Sequence, residues 1–478
     1  MVYHRFLIRR WHDPSLREQK IYPEEVYVYV RSLCAMVALL AGAFVAPRAD
    51  AEDMKIGLGR VVITPETPVW MAGYASRTEP GTGKLHDLWT KAMAIEDASG
   101  NKVVIVTADI IGFSMDMTDA VSKRVEEAHG IPRSNLLFNS SHTHCGPVVK
   151  NDGLHITYGL EGENEARAVE YTAQLAEMVY QAIDAALKDL APGTLSWGIG
   201  EASFAKNRRA YGTGGVSNDF NPIGPVDHDV PVLLARGSDG VVRGVLFGYA
   251  CHNTTLSVQE FNGDYAGFAQ IAVEKAYPGA TALFAQGCGG DQNPLPRRDV
   301  VLADKYGVQL GGAVSSVANE PMVPVTGAIS ARYKVIPLAL STPPTEAEVD
   351  AQLASEDIYI QRRAKKLKGI YQEKGELPTS LPYAVQVIKL GDAVQITALS
   401  GEVTVDYSLL IKYHYPRDKQ FVMGYSNDCP AYIPSLRVLR EGGYEGESSM
   451  VYYGVHGPWA PAIEENIMNT IHELAKAE

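Results

Sequence analysis

The stretch Asn135-Leu136-Leu137-Phe138-Asn139-Ser140-Ser141-His142-Thr143-His144-Cys145-Gly146-Pro147 runs from an apolar, strand-forming segment into two histidines and a chain-turning Gly-Pro. Just upstream, residues 103–108 are largely β-branched, and residues 116–129 carry the apolar period of an amphipathic helix. Strand, helix and strand in close succession are the signature of alternating α/β construction.

The same alternation extends outward. Residues 165–187 form an Ala-rich helical pattern, and 230–235 with 241–250 form a hairpin around Ser238-Asp239-Gly240 whose second strand runs into Cys251-His252. Asp264 is placed to cap a helix reaching residue 276, 281–285 is a buried-type strand, and 301–317 is helical again. Further strands are expected at 328–340, 384–390 and 393–398, with one charged helix over 346–371 and a last helix over 463–476. Tight turns join some strands and helices join others, which predicts an α/β fold with mixed β-sheets flanked by helices. No repeat, low-complexity tract or composition break interrupts residues 52–478, so one catalytic domain is expected there.

With 478 residues, 46% hydrophobic and 21% charged, the chain can bury a large core. Its formal net charge of -13 leaves no basic footprint for nucleic acid. Residues 33–45 are an apolar run preceded by Arg31 and followed by Ala49-Asp50-Ala51, the pattern of a secretory signal with a small-x-small cleavage site. The expectation is a mature chain starting near Glu52, secreted or periplasmic, with translation itself starting near Val30. The run falls short of the roughly 20 apolar residues of a membrane span, and none comparable follows, so no transmembrane segment is expected in the mature chain. Of five cysteines, Cys34 leaves with the leader, and Cys145, Cys251, Cys288 and Cys429 could form two bridges whose pairing the sequence does not set. The oligomeric state is not set by the sequence either.

His142 and His144 are two apart at the end of a predicted strand, where alternate side chains share a face, so both imidazoles can converge. Neutral imidazole is the commonest metal ligand, yet the pair alone fits a metal site or two polar histidines at a strand end. His252 also follows a strand. Glu402, in Ser400-Gly401-Glu402 before a helical pattern over 403–413, fits either a first-turn carboxylate or the third member of a His, His, Glu set. Residues 285–294 are rich in glycine, as a backbone that approaches something closely requires, but they lack the G-K-[ST] ending of a phosphate loop. There is no G-x-S-x-G elbow for a serine nucleophile.

Taken in order, these segments resemble the N-terminal catalytic domain of the neutral, or non-lysosomal, ceramidase family. The resemblance rests on Ser141-His142-Thr143-His144 with Gly146-Pro147, the strand ending in His252, and Asn262-Gly263-Asp264 with Gly267. It continues through Phe284-Ala285-Gln286, Gly290-Asp291, Gly401-Glu402, Ser426-Asn427-Asp428 and Tyr444-Glu445-Gly446. It implies a zinc amidase that cleaves the N-acyl bond of ceramide, with Zn(2+) held by His142, His252, Glu402 and Tyr432 and a zinc-activated water attacking the amide. It also implies catalytic roles for His144 and Tyr444 and a polar substrate contact from Arg208. Asn293 departs from the pattern, standing in Gly290-Asp291-Gln292-Asn293-Pro294 where the family carries serine. Asparagine is no nucleophile but can orient a substrate amide or hydroxyl. The expected partner is therefore a small-molecule or lipid N-acyl substrate, ceramide or another N-acyl or ester compound such as a sugar derivative. The chain ends soon after its last helix, so the immunoglobulin-like C-terminal domain of typical members is expected to be missing. A non-catalytic metal-binding protein is the alternative should His144, Arg208 and Tyr444 fail to converge.

Overall fold

The computed structural model describes residues 54–150 and 154–476. The expected leader, its cleavage site and Cys34 lie outside the described residues. Among those described, no helix is long and apolar enough to cross a membrane.

The first sheet contains β1 (Met54–Val62), β2 (Trp89–Glu96), β3 (Lys102–Ala108), β4 (Leu136–Ser140), β5 (Ala191–Glu201), β6 (Asp229–Gly237), β7 (Val242–Tyr249) and β8 (Thr281–Gln286), in the order β8-β7-β6-β5-β1-β2-β3-β4, with β9 (Val323–Val325) beside β5. Its interior pairs are antiparallel, whereas the outermost pairs, β3 with β4 and β7 with β8, are parallel. Parallel neighbours need a crossover, and here helices supply it. α1 (Met115–His129) joins β3 to β4, and α3 (Asp264–Ala276) joins β7 to β8. Ser114 starts α1 by accepting a hydrogen bond from the Met117 N–H, and Gly130 ends it in the left-handed region.

α1 and α2 (Gly162–Lys188) cover one half of the sheet's outer face, burying Val121, Val125, Leu175 and Val179 against Val104, Val106 and Phe138. α3 and α4 (Val300–Ala318) cover the other half. A second sheet, β10 (Ile329–Ala339), β11 (Ser380–Leu390), β12 (Val394–Leu399) and β13 (Gln420–Met423), stacks on the inner face. Ile105, Leu137, Leu246 and Leu283 of the first sheet share one apolar cluster with Ile388, Ile396, Ala398 and Phe421 of the second. Beyond it, α7 (Val405–His414) and α8 (Ile463–Lys476) pack on the far side through Tyr407, Ile411, Ile467 and Ile471. The fold is thus helix, sheet, sheet, helix, the mixed α/β architecture expected.

Three local expectations need correction. The charged helix over 346–371 is two helices, α5 (Glu346–Gln352) and α6 (Ile358–Lys374), because Asp357 caps a fresh start by accepting from the Tyr359 and Ile360 N–H groups. Gly263, not Asp264, occupies the cap of α3. The Asp264 carboxylate instead accepts the backbone N–H groups of Thr255 and Leu256, pinning the chain that follows His252. The four cysteines are free and buried, so no bridge braces the site.

The two parallel edges also meet. The buried Asn139 amide accepts from the Gln286 N–H at 2.7 Å and donates to the carbonyls of Gln286 at 3.2 Å and Gly424 at 2.8 Å. One side chain therefore ties the C-terminal ends of β4 and β8 to the exit of β13. The Gln286 carbonyl also accepts from the Gly424 N–H and the Gly424 carbonyl from the Ser426 hydroxyl, so truncating Asn139 strands chiefly the Gln286 N–H, at the cost of about 1–3 kcal/mol for an unpaired buried group. Asn139→Ala is expected to lower unfolding stability by roughly 1–3 kcal/mol, read as a shift of the chemical denaturation midpoint. A shift within error of wild type would show that water or relaxation replaces the amide.

Candidate metal centre

Strand β4 stops at Ser140, one turn before the histidines. His142 has a φ of 60°, in the left-handed region, so strand alternation is not what aims His142 and His144. The turn does it. The His142 N–H donates to the Ile110 carbonyl at 3.0 Å, and its ring Nδ1 lies 2.6 Å from the Ile111 carbonyl. A carbonyl can only accept, so Nδ1 carries the proton and Nε2 presents a lone pair. His252 repeats the arrangement across the sheet: its N–H donates to Gln292 O at 2.9 Å and its Nδ1 faces Gly289 O at 2.7 Å.

Glu402 does not open a helix. It lies in the short strand Glu402–Val403, paired in parallel with Tyr432–Ile433, and is in direct register with Tyr432. α7 begins only at Val405. Gly401 makes the sharp entry possible, with a φ of 80° and the Ala431 carbonyl only 2.6 Å from where a Cβ would sit. The pairing brings both side chains to the two imidazoles. Glu402 Oε2 lies 3.2 Å from His142 Nε2 and 2.9 Å from His252 Nε2, and the Tyr432 hydroxyl is 3.1 Å from His252 Nε2.

These four side chains are buried. Two imidazole lone pairs, a carboxylate and a phenol crowded this closely repel one another unless a cation sits among them. Donor separations of 2.9 to 3.2 Å approach the roughly 3.3 Å edge of a tetrahedron with zinc–ligand bonds near 2.0–2.1 Å. Protonation favours ligation by His252 and Glu402, whereas burial holds the Tyr432 phenol well above its ordinary range. Burial, followed by the nearby Arg208 charge, pushes the His252 imidazole down to about 4, so it is neutral at pH 7. Burial alone would raise the Glu402 carboxyl, but His142 and His252 hold it well below the usual range. Neutral imidazole and ionised carboxylate are the ligating forms.

His144 is placed differently. Its Nε2 lies 3.1 Å from His142 Nε2, but its buried Nδ1 has no hydrogen-bond partner among the described residues. Histidine ligands are ordinarily oriented by a partner on the other nitrogen. His142 and His252 have one, whereas the His144 Nδ1 has none among the described residues. Burial and the two neighbouring imidazoles push His144 well below the ordinary range. Gly73, at a φ of 92°, gives it room, since a Cβ there would lie 2.4 Å from the imidazole Cγ.

Arg208 connects these four side chains to the rest of the site. Its Nη2 donates to the Tyr432 hydroxyl at 3.1 Å, its Nη1 to Asn293 Oδ1 at 3.3 Å and its Nε to Glu445 at 2.8 Å. The guanidinium lies 5.7 Å from the rings of both Tyr432 and Tyr444, which are 5.3 Å apart. Asn293 Oδ1 also accepts from Thr254 Oγ1 at 3.2 Å. With that oxygen doubly engaged, the two amide N–H donors of Asn293 are left for a ligand. The structure thus brings together every residue singled out from the sequence: His142, His144, His252, Glu402, Tyr432, Arg208, Tyr444 and Asn293.

Three contributors escaped the sequence reading. Tyr453 donates to Glu402 Oε1 in a close contact, although nothing in Tyr452-Tyr453 marks it. The Cys429 thiol joins His142 and Glu402 in a set of donor atoms within 4.8 Å of one another. Glu445, visible only as part of Tyr444-Glu445-Gly446, receives Arg208 at 2.8 Å and Arg209 at 2.6 Å, with all three side chains buried. Removing one partner of a buried ion pair costs about 3–5 kcal/mol because the other charge is stranded. Glu445→Gln should lose about 3 kcal/mol of unfolding stability and displace Arg208, lowering turnover. An unfolding midpoint unchanged from wild type would refute that role.

Residues 54–295 match the family described as neutral/alkaline non-lysosomal ceramidase, N-terminal. The neutral ceramidase of Drosophila melanogaster is 24% identical over 259 residues, covering 52% of this chain and 35% of that protein. Neutral ceramidase 2 of Arabidopsis thaliana is 33% identical over 95 residues, 19% of this chain and 12% of that protein. The match thus spans about a third of the Drosophila relative's length. Among solved structures, the neutral ceramidase from Pseudomonas aeruginosa superposes with a TM-score of 0.69 at 20% identity, over 88% of this chain and 74% of that one. A ceramidase complexed with C2 gives 0.69 at 19% identity, over 89% and 75%. Fold, ordered motifs and the matched region agree: the chain belongs to the neutral/alkaline non-lysosomal ceramidase family.

Proposed function

We propose that this protein is an exported zinc-dependent amidohydrolase that cleaves an N-acyl amide bond, with zinc held by His142, His252, Glu402 and Tyr432. The observation that carries the reading is the pair of buried imidazoles whose Nδ1 atoms are tied to carbonyls, both aiming Nε2 at one carboxylate oxygen. Zinc at these donors would polarise a carbonyl and lower the pKa of water.

The chain's own residues supply the remainder. His144, neutral and with an unengaged Nδ1, takes a proton from the attacking water and returns it to the departing amine. The Tyr444 hydroxyl and the Asn293 amide donate to the oxygen on which negative charge develops, and the fixed charge of Arg208 stabilises it. Arg208 keeps that charge because Tyr432 and Glu445 outweigh the effect of its burial. A merely metal-binding protein would have no use for His144, Arg208, Tyr444 and Asn293 around its ion. A second reading on the same scaffold, hydrolysis of a non-ceramide N-acyl or ester compound such as a sugar derivative, draws on Asn293, whose two amide donors replace a hydroxyl.

Metal content and amide hydrolysis of purified protein test the assignment. Wild type should hold about one zinc per chain, and His142→Ala and Glu402→Gln should each lose both metal and turnover. Full zinc occupancy in both variants would sink the ligand set. Tyr453→Phe removes the hydroxyl that donates to Glu402 and also touches the Cys429 thiol, and is expected to weaken zinc affinity by about 10–100-fold, as measured by competition with a chelator. Unchanged affinity would mean that Tyr453 does not orient the carboxylate.

A further inference from the structure

Beside the metal donors stands a group of positive charges that the reaction just described does not use. Residues 295–298, Leu295-Pro296-Arg297-Arg298, follow Asn293-Pro294. Arg297 is half-buried, and its Nη1 donates to Thr254 Oγ1 at 3.3 Å, the hydroxyl that in turn donates to Asn293. Arg298 reaches the other flank. Its Nη1 donates to the Tyr74 hydroxyl at 2.6 Å with the guanidinium 4.8 Å from that ring, and the Tyr74 ring lies 4.9 Å from the ring of His144. Arg77 lies on the same tyrosine at 5.4 Å, but both its Nη atoms are engaged by the carbonyls of Val258 and His144 and by Gln259, and only its buried Nε is without a partner among the described residues.

Neither Arg297 nor Arg298 has an ion pair among the described residues, in a chain whose acidic side chains outnumber its basic ones. The nearby acids are engaged elsewhere: Asp264 holds backbone N–H groups, Asp299 caps α4 and Glu445 is taken by Arg208 and Arg209. Backbone strain accompanies the arrangement, since Arg298 has a φ of 85° while its N–H donates to Thr255 O at 2.6 Å. A left-handed non-glycine residue costs of order 1–3 kcal/mol and persists only where its surroundings enforce it. Burial, Arg298 and Arg208 together push Arg297 below the ordinary arginine range. An anion would relieve that repulsion.

Building on the amidohydrolase reading, we propose that Arg297 and Arg298 receive an anionic group, a carboxylate, sulfonate or phosphate, on the amine half of the N-acyl substrate. The acyl half of such a molecule is apolar and gains nothing from guanidinium groups, whereas the amine half is the part that returns to water. Planar guanidinium donors match the oxygens of these anions. The substrate class is then an N-acyl amino acid or a similarly charged N-acyl amine, in contrast to an uncharged one.

N-dodecanoylglycine and N-dodecanoylglycinamide differ in charge and little else, and they test this directly. Wild-type zinc-loaded enzyme should favour the carboxylate by about tenfold or more in kcat/KM, the scale of one charge-assisted hydrogen bond. The ratio should shrink with added salt and fall towards one in the Arg297→Gln/Arg298→Gln double variant, chiefly through KM. A wild-type ratio of one or below, or a ratio the double variant leaves unchanged, overturns the proposal while leaving amide hydrolysis intact. Should neither compound be cleaved while ceramide is, the proposal falls and the amidohydrolase reading stands; should ceramide be left intact too, that reading fails. Calorimetric binding then decides the anion site alone: tighter binding of the carboxylate that the double variant loses supports it, and equal binding of the two compounds overturns it.

Discussion

The side-chain amide of Asn139 closes a gap that the two sheets leave open. β4 and β8 lie at opposite ends of the first sheet's strand order, yet their C-terminal ends come together around this one buried group, with the exit of β13 as the third side. The network continues inward. Gln286 donates to the Cys251 carbonyl, and Asn253 donates to the carbonyl of Ser141 and to Gln286. Amides carry a donor and an acceptor on one rigid plane, so a few of them can satisfy backbone groups where no strand could continue. Because Ser141 precedes His142 and Cys251 precedes His252, the same bonds set the separation of the two imidazoles.

Charge in the site is arranged in two tiers. At the centre, burial keeps His252 and His144 neutral and their neighbourhood keeps Glu402 ionised, which yields a donor set with net negative charge. Around it, Arg208 is fixed by Glu445, and Arg209 shares that carboxylate. Arg209 also pairs with Glu441 at 3.1 Å, so the two arginines are matched by two carboxylates. Such charges are costly to desolvate and are kept in place only by several hydrogen bonds at once. Arg208, which reaches Tyr432, Asn293 and Glu445, meets that requirement.

Asn293 sits in the same network. Its Oδ1 is held by Arg208 and Thr254, which fixes the amide and engages its acceptor. A hydroxyl at this place could both donate and accept, whereas this amide can only donate. The next residues, Arg297 and Arg298, extend the same donor-rich character. The loop from Gly287 to Arg298 therefore holds His252 by its backbone carbonyls at one end and carries the positive flank at the other.

Much of this was legible in the chain itself. Alternating apolar periods located β3, α1, β4, α3 and β8 to within a few residues, because each buries a regular face and local periodicity reports burial. The ordered motifs from Ser141 to Tyr444 named side chains that the fold brings together at the candidate site. Local pattern could not see that Glu402 pairs in strand register with Tyr432, since a two-residue strand has no period and its partner is thirty positions away. It aimed His142 and His144 by strand alternation, whereas a left-handed turn and two carbonyls do so. It read one helix where the Asp357 cap makes two, and it offered disulfides where the cysteines are buried apart. Tyr453, Glu445 and the pairless arginines acquire meaning only from what lies against them. The sequence by itself determined which elements form and which residue types can carry the chemistry, because those follow from nearest neighbours along the chain. Tertiary structure decided the tautomers, the charge balance and the open face of the site, because these depend on groups that only folding brings within a hydrogen bond of one another.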